Sequence, residues 1–404
     1  MKPHRPDAPA ASGGSLVAAA KRVAAEIARE ASRRDLERQI PESEAALVRR
    51  HALQTARVPR RYGGPEASFG DLARIMMHLA EGDPNLAQML QPHFVLLDWL
   101  EIDATEDQRR HFYGRVLAGE IITNAFAERG TKTPGHFATT LRRDGTGYRL
   151  DGTKFYSTGS LIADGLYILA TLEGGGMALA VIPKTRAGVE IVDDWDGMGQ
   201  RTTASGTTRL VSVAVAADEV VPLPNWGKKR SHIGAAAQIS HAAIDAGIAR
   251  AALADAVAYA RTWSRPVAES GVDRATDDPY VLHSVGEMSV IAHGAEAMVL
   301  RAAEILDATL AGLGKGSSDD DERLYAEASI AVAEAKAASN VASLQLGEMM
   351  FRVAGASSTL RSHNLDRHWR NARTHTTHDP VAYKYKAIGN FLLNDRLPPI
   401  STKI

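Results

Sequence analysis

The sequence predicts a mainly α-helical protein with a central β domain. Apolar residues recur at helical spacing before residue 120 and again after residue 230. Between these regions, short runs rich in Ile, Thr, Tyr and Val alternate with glycine-containing turns, as in β-sheets. The expected domains are an N-terminal α-helical domain over 15–119, a middle β domain over 120–230 and a C-terminal helical domain over 231–404. We expect the Pro- and Ala-rich residues 1–14 to form a disordered tail.

The N-terminal domain is expected to be helical because of the spacing of its apolar residues. Leu, Val, Ala and Ile share one helical face over 16–27, and Ser15 is the expected N-cap. The segment 59–65, which reads PRRYGGP, interrupts the pattern with Pro and Gly. A further helix is predicted over 69–81, and the Gly-Asp-Pro sequence at 82–84 should end it.

The middle domain contains short segments with the composition of β-strands. Glycine-containing turns at 145–147 and 174–176 stand where hairpin turns belong. Because the gaps between the segments are too short for crossover helices, the sheet should be mainly antiparallel. The predicted strands are Ile121–Ala127, Tyr148–Leu150, Lys154–Ser157, Leu166–Leu172, Met177–Ile182, Val189–Val192 and Arg209–Val215.

The C-terminal domain should be a bundle of long helices. Its helical segments are rich in Ala, Leu and Glu and are joined by short links, which is typical of an up-and-down four-helix bundle. The segment 316–321, which reads GSSDDD, is expected to be a solvated turn between two of them. The predicted helices are Ile239–Trp263, Tyr280–Leu313, Arg323–Val353 and Val381–Leu393.

The composition excludes several classes of protein. Lys and Arg number 47 and Asp and Glu number 48, so the chain has no basic excess with which to bind nucleic acid or an anionic membrane. Cysteine is absent, which excludes disulfides, thiolate nucleophiles and Cys-bound zinc. No apolar run approaches the ~20 residues of a membrane-spanning helix, and the N-terminal tail lacks the apolar stretch of a signal peptide. We therefore expect a cytoplasmic protein.

Sequence patterns for nucleotide and acyl-serine chemistry are missing. The segment 312–317, GLGKGS, lacks the Gly that a phosphate-binding loop requires five residues before its Gly-Lys pair, because Thr309 stands there. The pattern G-x-S-x-G does not occur, and no G-x-G-x-x-G follows a predicted strand. The site must therefore be sought elsewhere in the chain.

A cluster of histidines lies near the C-terminus, interleaved with arginines. Imidazole and carboxylate side chains suit zinc or iron, but cations between them repel a metal and attract phosphate. The cluster therefore favours an anionic cofactor or a catalytic site over a metal site, and a packing role is left open. Its histidines are His363, His368, His375 and His378, and its arginines are Arg367, Arg370 and Arg373.

Three segments resemble one enzyme family. Residues 366–384 read DRHWRNARTHTTHDPVAYK, residues 270–280 read SGVDRATDDPY and residues 193–208 read DDWDGMGQRTTASGTT. With these strings the chain resembles the acyl-CoA dehydrogenase superfamily over about 15–393, and within it the flavin-dependent monooxygenase branch of the dibenzothiophene monooxygenase type. The resemblance implies the fold of that superfamily, with N-terminal helices, a middle antiparallel β domain and a C-terminal four-helix bundle.

The resemblance also implies a two-component monooxygenase. In this branch a reduced flavin, FMNH2 with FAD as the alternative, reacts with O2 to give a C4a-hydroperoxyflavin. That species oxygenates a small hydrophobic substrate at sulfur, as in dibenzothiophene and sulfones, or acts as an N- or C-hydroxylase of amines or aromatics. A separate NAD(P)H:flavin reductase supplies the reduced flavin. The family assembles as homotetramers, for which the Ala-rich helices 239–260 and 324–353 would offer packing faces.

The chain departs from the dehydrogenases at the base that removes the substrate's α-proton. Many of them place this Glu in a Tyr-Glu-Gly string, whereas the matching stretch 374–380 here reads THTTHDP. An acyl-CoA dehydrogenase that uses Asp379 or Glu128 as an atypical base is therefore a second alternative. A non-catalytic protein on the same scaffold is the third. Asp379 is also the expected N-cap of the last helix, with Pro380 in its first turn.

The resemblance assigns roles to individual residues of this sequence. His93 and His378 match two active-site histidines, and Asn124 matches an Asn that opens the β domain and suits the flavin edge. Histidine fits a proton donor because its ordinary pKa lies near neutral pH. Thr158 stands where the relatives have Ser, so the hydroxyl is kept. The catalytic candidates are His93, Asn124, Ser157, Thr158 and His378.

The flavin phosphate requires positively charged or hydrogen-bonding partners. Arg265 stands where members of the superfamily place a flavin-contacting Arg, in some cases from a neighbouring subunit. The dehydrogenases continue that Arg with Gln-Phe-Gly, which is absent here and fits a flavin that arrives reduced, as a co-substrate. No residue is assigned to a metal. The flavin-binding candidates are Asn124, Ser157, Thr158, Trp195, Ser205, Arg265, Arg370, His375 and His378.

Overall fold

The structure is a computed structural model, and it describes residues 12–130 and 137–404. Helices, then strands, then helices follow one another along the chain, which confirms the predicted fold class. Of the predicted tail 1–14, residues 1–11 lie outside the described residues, and Gly13 and Gly14 already belong to the first helix. The division into domains at 119 and 230 stays a prediction.

The described residues before 120 form six α-helices. The first begins two residues before the expected N-cap, because Ser12 is the N-cap and its side chain accepts the backbone N–H of Ser15 at 3.3 Å. The predicted helix 69–81 is present and continues to Gly82. The helices are α1 (Gly13–Ile27), α2 (Ala31–Glu37), α3 (Glu42–Arg50), α4 (Phe69–Gly82), α5 (Pro84–Asp103) and α6 (Glu106–Leu117).

Helix α5 runs through the interior of the protein. All of its residues over 85–100 are buried, since the helix lies between α4, the sheet and the C-terminal helices. Pro92 lies inside the helix, where proline leaves one backbone hydrogen bond unmade, and its carbonyl accepts the hydroxyl of Tyr167 at 2.7 Å. In this way α5 carries the polar side chains of Gln88 and His93 into the protein core.

The middle of the chain forms one sheet. Its strands are β1 (Ile122–Ala125), β2 (Thr140–Asp144), β3 (Gly147–Lys154), β4 (Gly165–Leu172), β5 (Met177–Pro183), β6 (Val189–Val192), β7 (Thr207–Val215) and β8 (Val220–Leu223). The order is β6-β7-β3-β2-β4-β5-β8, and β1 pairs with β4. The strands β1 and β2 pair with β4 in parallel and the other pairs are antiparallel, which confirms a mainly antiparallel sheet. The sequence did not predict β2, which is highly charged, or β8, which contains a proline.

The described residues after 230 form five α-helices, one more than predicted. The additional helix, α10, covers the segment rich in His and Arg. The segment 318–321 is not part of a turn, because α9 begins at Ser318 and places Asp319–Asp321 in its first turn, where the helix dipole favours negative charge. Although α8 and α9 are long, no helix in the described part of the chain could cross a membrane. The helices are α7 (Ile233–Thr262), α8 (Pro279–Gly312), α9 (Ser318–Ala354), α10 (Arg367–Thr376) and α11 (Val381–Asn394).

Helix α7 is the central helix of this C-terminal part. It is buried without interruption over 233–249 and packs against α4, α8 and α9. Its many Ala and Gly residues permit close approach. A Cβ atom added at Gly247 would lie only 2.6 Å from the Cβ of Ala80 on α4. Any polar side chain on this part of α7 is therefore directed into the core or into a site.

Candidate active site

Two loops of the sheet cross closely and bring hydroxyl side chains together. Residues 155–160 follow β3, and residues 193–206 precede β7. At the crossing, the N–H of Ser157 donates to the carbonyl of Gly206 at 3.0 Å. A Cβ atom at Gly206 would lie 2.1 Å from the carbonyl oxygen of Val192, so this position requires glycine.

The hydroxyl groups at this crossing form a buried cluster. The Oγ1 of Thr158 lies 2.9 Å from the Oγ of Ser205, which lies 2.8 Å from the Oγ1 of Thr203. Beside them, Thr208 donates to the Oγ of Ser157 at 2.9 Å. We call these five residues the hydroxyl cluster. A hydroxyl both donates and accepts, so the cluster can reorient its hydrogen bonds toward a bound molecule. Three residues predicted from the sequence thus lie together here.

Trp195 lies at the edge of the hydroxyl cluster. Its indole N–H donates to the carbonyl of Gln200 at 2.7 Å, and the same carbonyl accepts the hydroxyl of Thr203 at 2.9 Å. The indole also meets the ring of Tyr156 edge to face, with the ring centroids 6.1 Å apart. Because its N–H is occupied, Trp195 has only the apolar surface of its ring to offer a ligand.

Asn124 lies on β1 and pairs with Tyr167 of β4. Its side-chain Oδ1 is buried and has no hydrogen-bond partner among the residues that the structure describes. A buried acceptor without a partner costs free energy, and folded proteins rarely leave one unsatisfied. The amide of Asn124 therefore fits a ligand that brings its own N–H or O–H donor.

His93 is a fully buried side chain whose two ring nitrogens both contact backbone groups. Nε2 lies 2.9 Å from the carbonyl oxygen of Gln54, and Nδ1 accepts the N–H of Ile122 at 3.1 Å. Burial lowers the pKa of His93 to about 4, so the ring is neutral and donates from Nε2. These contacts tie α5 to the start of β1. Because both nitrogens are occupied, the geometry favours a structural role for His93, and the catalytic role expected from the sequence stays a prediction.

Helix α10 packs against the loop that carries part of the hydroxyl cluster. The N–H of Gly199 donates to the Oγ1 of Thr374 at 3.0 Å, and the N–H of Gln200 donates to the Oδ1 of Asn371 at 2.6 Å. A Cβ atom at Gly199 would lie 1.9 Å from the carbonyl oxygen of Arg370. Because Gly199 has no side chain, α10 can contact the 193–206 loop directly.

His375 lies near the end of α10 and is buried in a polar network. Its Nδ1 lies 2.5 Å from the Oδ1 of Asp245, and its Nε2 lies 3.0 Å from the Nδ1 of His241. The side-chain Oε1 of Gln88 is 3.1 Å from the same Nε2. The second oxygen of Asp245 lies 2.5 Å from the ammonium of Lys336. The sequence-predicted His375 is therefore held by groups from α5 and α7, and indirectly by α9.

His378 follows α10 and is half-exposed. Its ring stacks on that of His241, with the centroids 4.4 Å apart and the planes inclined by 36°. Its Nδ1 lies 3.1 Å from the Oδ2 of Asp379, which also accepts the amide of Gln238 at 2.7 Å. The expectation that Asp379 caps the last helix is wrong, because α11 has Pro380 as its N-cap and no side-chain cap. The Asp379 carboxylate instead contacts His378 and Gln238.

The two predicted arginines do not join this site within one subunit. Arg370 uses all five of its N–H donors inside the protein, so none is left for a phosphate; its acceptors are Asp35, Asn364, Asp366 and Met198. Arg265 is exposed and lies beyond the far end of α7. The helical rise of ~1.5 Å per residue puts Thr262 roughly 30 Å from His241 along that helix. These contacts favour a structural role for Arg370, and its assignment as a flavin ligand stays a prediction.

Glu128, one of the two carboxylates considered as a base, is fixed in an ion pair. Its Oε1 lies 2.6 Å from the Nζ of Lys154 and accepts the hydroxyl of Thr139 at 2.6 Å. Its Oε2 accepts the N–H of Ala138 at 2.6 Å. Burial lowers the pKa of Lys154 to about 8, although Glu128 acts in the opposite direction. With both oxygens occupied, Glu128 is not a free base.

Sequence reasoning missed the residues that surround His375. These residues lie on buried helices. A polar side chain among small apolar residues is the sequence signal that could have identified them. Gln238, His241 and Asp245 are spaced three and four residues apart, so they share one face of the Ala-rich α7. Lys336 is likewise a lone cation among small residues of α9. Over residues 12–130 and 137–404, no group of three or more His, Asp or Glu side chains is arranged to hold a metal ion.

Comparisons with known proteins agree with this architecture. The family models for the N-terminal and C-terminal domains of acyl-CoA dehydrogenase match residues 16–120 and 239–382. Dibenzothiophene monooxygenase of Rhodococcus qingshengii is 32% identical over 364 residues, which cover 87% of this chain and 86% of that protein. The probable FMNH2-dependent monooxygenase SfnC of Pseudomonas putida is 30% identical over 391 residues and 95% of both chains. The crystal structure of FMN-bound TdsC from Paenibacillus sp. A11-2 superposes with a TM-score of 0.89, at 29% identity, over 96% of this chain and 100% of that one. The chain therefore belongs to the acyl-CoA dehydrogenase family, in its branch of flavin-dependent monooxygenases.

Proposed function

We propose that this protein binds reduced FMN and uses O2 to oxygenate a small hydrophobic substrate at sulfur, of the dibenzothiophene or sulfone type. The observation that carries the proposal is the contact between α10, which carries His375, and the loop that carries part of the hydroxyl cluster. The named activities of the similar monooxygenases support the cofactor and the class of substrate. When bound, reduced flavin supplies the electrons that activate O2.

The proposed role of Asn124 and the hydroxyl cluster is to bind the flavin ring. The buried Oδ1 of Asn124 lacks a donor, and the N–H groups along the edge of a flavin ring are donors of the required kind. Ser157 and Thr158 would supply hydroxyls to the same ring, and Trp195 would cover part of it with apolar surface. These contacts would also exclude water, which an oxygenation of this class requires.

The proposed proton donor is His378. Of the three neighbouring rings of His241, His375 and His378, His378 is the one that reaches solvent, since 47% of its side chain is exposed and the other two are buried. Its Nδ1 faces the carboxylate of Asp379, which orients the ring and leaves Nε2 as the nitrogen for a reacting group. Although burial by itself raises it, the pKa of Asp379 is held below its usual range by His378 and Lys384. Asp379 therefore remains a carboxylate that orients the imidazole.

The proposed assembly is a homotetramer in which Arg265 contacts the flavin phosphate of a neighbouring subunit. The distance of Arg265 from the site of its own subunit supports this arrangement. Large apolar side chains remain exposed on α8 and α11, such as Tyr280 and Leu393, which are 81% and 85% exposed. The exposed sides of α8 and α11 are therefore better subunit interfaces than the expected helix 239–260, because most of that helix is buried inside the subunit.

The remaining partners follow from the proposed reaction. We propose that a separate NAD(P)H:flavin reductase supplies the FMNH2 and that FAD is the alternative flavin. An amine or an aromatic carbon is the alternative position of oxygenation. The dehydrogenase alternative loses support because Glu128 is fixed in its ion pair.

The test is oxygen transfer from labelled O2. The full-length protein is mixed anaerobically with FMNH2 and dibenzothiophene and then exposed to ¹⁸O2, with a sulfone, an amine and indole as parallel substrates. We expect ¹⁸O in the sulfoxide of dibenzothiophene and oxidation of the bound flavin more slowly than free FMNH2. Label in the amine or indole product alone would overturn the sulfur assignment. The proposal is overturned entirely if no substrate acquires label, and reduction of bound FMN by an acyl-CoA would establish the dehydrogenase instead.

A further inference from the structure

Two opposite charges lie in the core behind the proposed proton donor. The ammonium of Lys336 on α9 and the Oδ2 of Asp245 on α7 are 2.5 Å apart, and the two side chains are 1% and 0% exposed. Buried charges are costly unless they are paired. Although burial by itself raises it, the pKa of Asp245 lies below its ordinary value because Lys336 and His375 favour the carboxylate. The pair is therefore ionised, and its free oxygen faces His375.

The carboxylate of Asp245 determines which nitrogen of His375 carries hydrogen. A carboxylate only accepts hydrogen bonds, so Nδ1 of His375 must donate to it. Burial lowers the pKa of His375, and the nearby Lys336 lowers it further, whereas Asp245 acts in the opposite direction. Lys336 therefore opposes the tendency of Asp245 to add a second proton to His375. His375 is then a neutral ring with a hydrogen on Nδ1 and a lone pair on Nε2. This pattern requires the amide of Gln88, whose Oε1 lies 3.1 Å from Nε2, to turn by 180° so that its NH2 group faces the lone pair.

This pattern continues to the next ring. The lone pair of His375 Nε2 faces the Nδ1 of His241 at 3.0 Å, so His241 donates from Nδ1 and its own Nε2 carries no hydrogen. Burial lowers the pKa of His241 well below its ordinary value, and the neighbouring His378 and His375 act in the same direction. The ring on which His378 stacks is therefore also neutral. We call these three residues, His375, His241 and His378, the histidine column.

We propose that Asp245 is a positioning residue that fixes the hydrogen pattern of the histidine column, while its partner Lys336 keeps the two buried rings beneath His378 uncharged. The proposal rests on the proposed function, in which His378 donates the proton. An uncharged support leaves the half-exposed His378 as the member of the column that exchanges protons with solvent. A positive charge on His375 or His241 would disfavour protonation of His378.

The effect of each variant follows from the groups that face His375. Asp245 and His241 approach it from α7, Lys336 approaches from α9, His378 approaches from the segment after α10, and α5 contributes only the neutral amide of Gln88. In Lys336→Met the carboxylate is unopposed, so the pKa of His375 rises. In Asp245→Asn the attraction is lost while Lys336 remains, so the pKa of His375 falls further and either tautomer becomes possible.

The experiment measures the exchange of the C2 hydrogen of each histidine against pH by mass spectrometry, with the flavin-free protein. Because Asp245→Asn leaves Lys336 buried without a partner and can unfold the protein, the double variant Asp245→Asn/Lys336→Met accompanies it. We expect the exchange midpoint of His375 to rise in Lys336→Met and to return to or below the wild-type position in the double variant. A midpoint that stays constant, or one that falls in Lys336→Met, would overturn the proposal.

A matched control removes another buried ion pair. Glu128→Gln/Lys154→Met removes the ion pair in the sheet region in which the Nζ of Lys154 lies 2.6 Å from the Oε1 of Glu128. It should leave the C2-hydrogen exchange of His375 unchanged. If this control moves the midpoint as far as Lys336→Met does, the effect comes from general loosening of the fold, and the inference fails.

The catalytic readout is the pH profile of oxygenation. In Lys336→Met we expect kcat at pH 6 to fall about tenfold relative to pH 8, with the KM for substrate unchanged, because a protonated His375 repels the proton needed at His378. A uniform loss at all pH values would indicate a purely structural role and would overturn the inference. Should the wild-type protein oxygenate nothing, the proposed function fails, whereas the exchange experiment still tests the hydrogen pattern by itself.

Discussion

The backbone N–H of Ile122 donates a hydrogen bond of 3.1 Å to Nδ1 of His93, and this bond joins the first strand of the sheet to the buried helix α5. The opposite ring nitrogen contacts the carbonyl of Gln54. The start of β1, two residues before Asn124, is thus held by a neutral imidazole. His93 therefore contributes to the site by supporting a strand, and its protonation should be felt as a loss of stability.

The pKa of about 4 for His93 predicts a specific dependence of stability on pH. The unfolded chain, with an ordinary value near 6.5, binds more protons than the folded protein between these two values, so stability falls as pH drops through that window. The total loss is on the order of 3 kcal/mol. Urea unfolding at pH 7 and pH 5 should show a smaller difference for His93→Gln than for the wild type. The control is His111→Gln on α6, an exposed histidine, which should behave like the wild type. Equal pH dependence in His93→Gln and the wild type would contradict the burial argument.

Asn124→Ala should separate ligand binding from folding. Because the Oδ1 has no partner in the described protein, the substitution removes no internal hydrogen bond and should leave the unfolding midpoint unchanged. It should weaken FMN binding about three- to tenfold, which corresponds to one neutral hydrogen bond. Fluorescence titration of FMN checks the affinity, and calorimetry checks the stability. Unchanged affinity would remove Asn124 from the flavin site.

Arg370→Met should lower the stability of the fold and leave FMN binding nearly unchanged, which is the reverse of the effect expected for Asn124→Ala. It leaves the buried carboxylate of Asp35 without its partner at 2.6 Å and should cost about 3 kcal/mol of stability. Since all five donors of Arg370 serve the protein, FMN affinity should change less than about threefold. Arg265→Met is the matched comparison, with unchanged stability and about tenfold weaker FMN binding expected from the loss of a charge-assisted bond. An affinity loss in Arg370→Met as large as that in Arg265→Met would restore Arg370 as a flavin ligand.

Gly199→Ala should damage the site through backbone packing alone. The added methyl would lie 1.9 Å from the carbonyl oxygen of Arg370, so α10 must move away from the loop of the hydroxyl cluster. Overpacking of this kind costs about 1–3 kcal/mol, and we expect FMN affinity and product formation to fall together. Gly114→Ala on α6 is the control, because its new methyl meets no atom within 4 Å. Wild-type affinity in Gly199→Ala would show that the contact between α10 and this loop does not shape the site.

His378→Ala should uncouple flavin oxidation from oxygenation. No backbone group depends on this half-exposed ring, so flavin binding should stay within a few-fold of the wild type. Loss of a general acid typically costs about 100-fold or more, and we expect oxygenated product per FMNH2 consumed to fall accordingly while hydrogen peroxide is released. Product and peroxide are measured in the same reaction, with His111→Ala on α6 as the control. A normal product yield would exclude His378 from the reaction.

The fold was predictable because each part of the chain has a strong periodicity or composition. Six of the seven predicted strands and the four long helices produce the observed order, and the resemblance of three segments indicated the correct branch. The predicted strand Lys154–Ser157 is wrong, because Lys154 ends β3 and the next residues form the loop after it. The failures have local causes. Helix α10 escaped prediction because its buried face is mainly polar, with His368, Asn371 and His375 at helical spacing where apolar residues are expected. The segment 318–321 was assigned to a turn because of its acidic residues, which are equally suited to the first turn of a helix.

Contacts between distant residues explain why the site was only partly predictable. The role of Arg370 depends on Asp35, which lies 335 positions away in the sequence. Likewise, the role of His93 depends on backbone groups of two other segments, and backbone contacts have no sequence signature. The hydroxyls that were predicted together lie together because they belong to two short loops. The side chains around His375 come from separate helices, and only the polar face of α7 gave a sign of them.

The buried polar face of α7 also limits how an enzyme of this kind can be re-engineered. One helix provides the centre of the bundle and, through Gln238, His241 and Asp245, the support of the histidine column. A substitution along this face would alter heat resistance and reactivity at the same time, so the two properties cannot be selected separately there. Laboratory evolution of substrate range should find tolerated changes outside this face, and variants collected for altered substrates should retain these three residues.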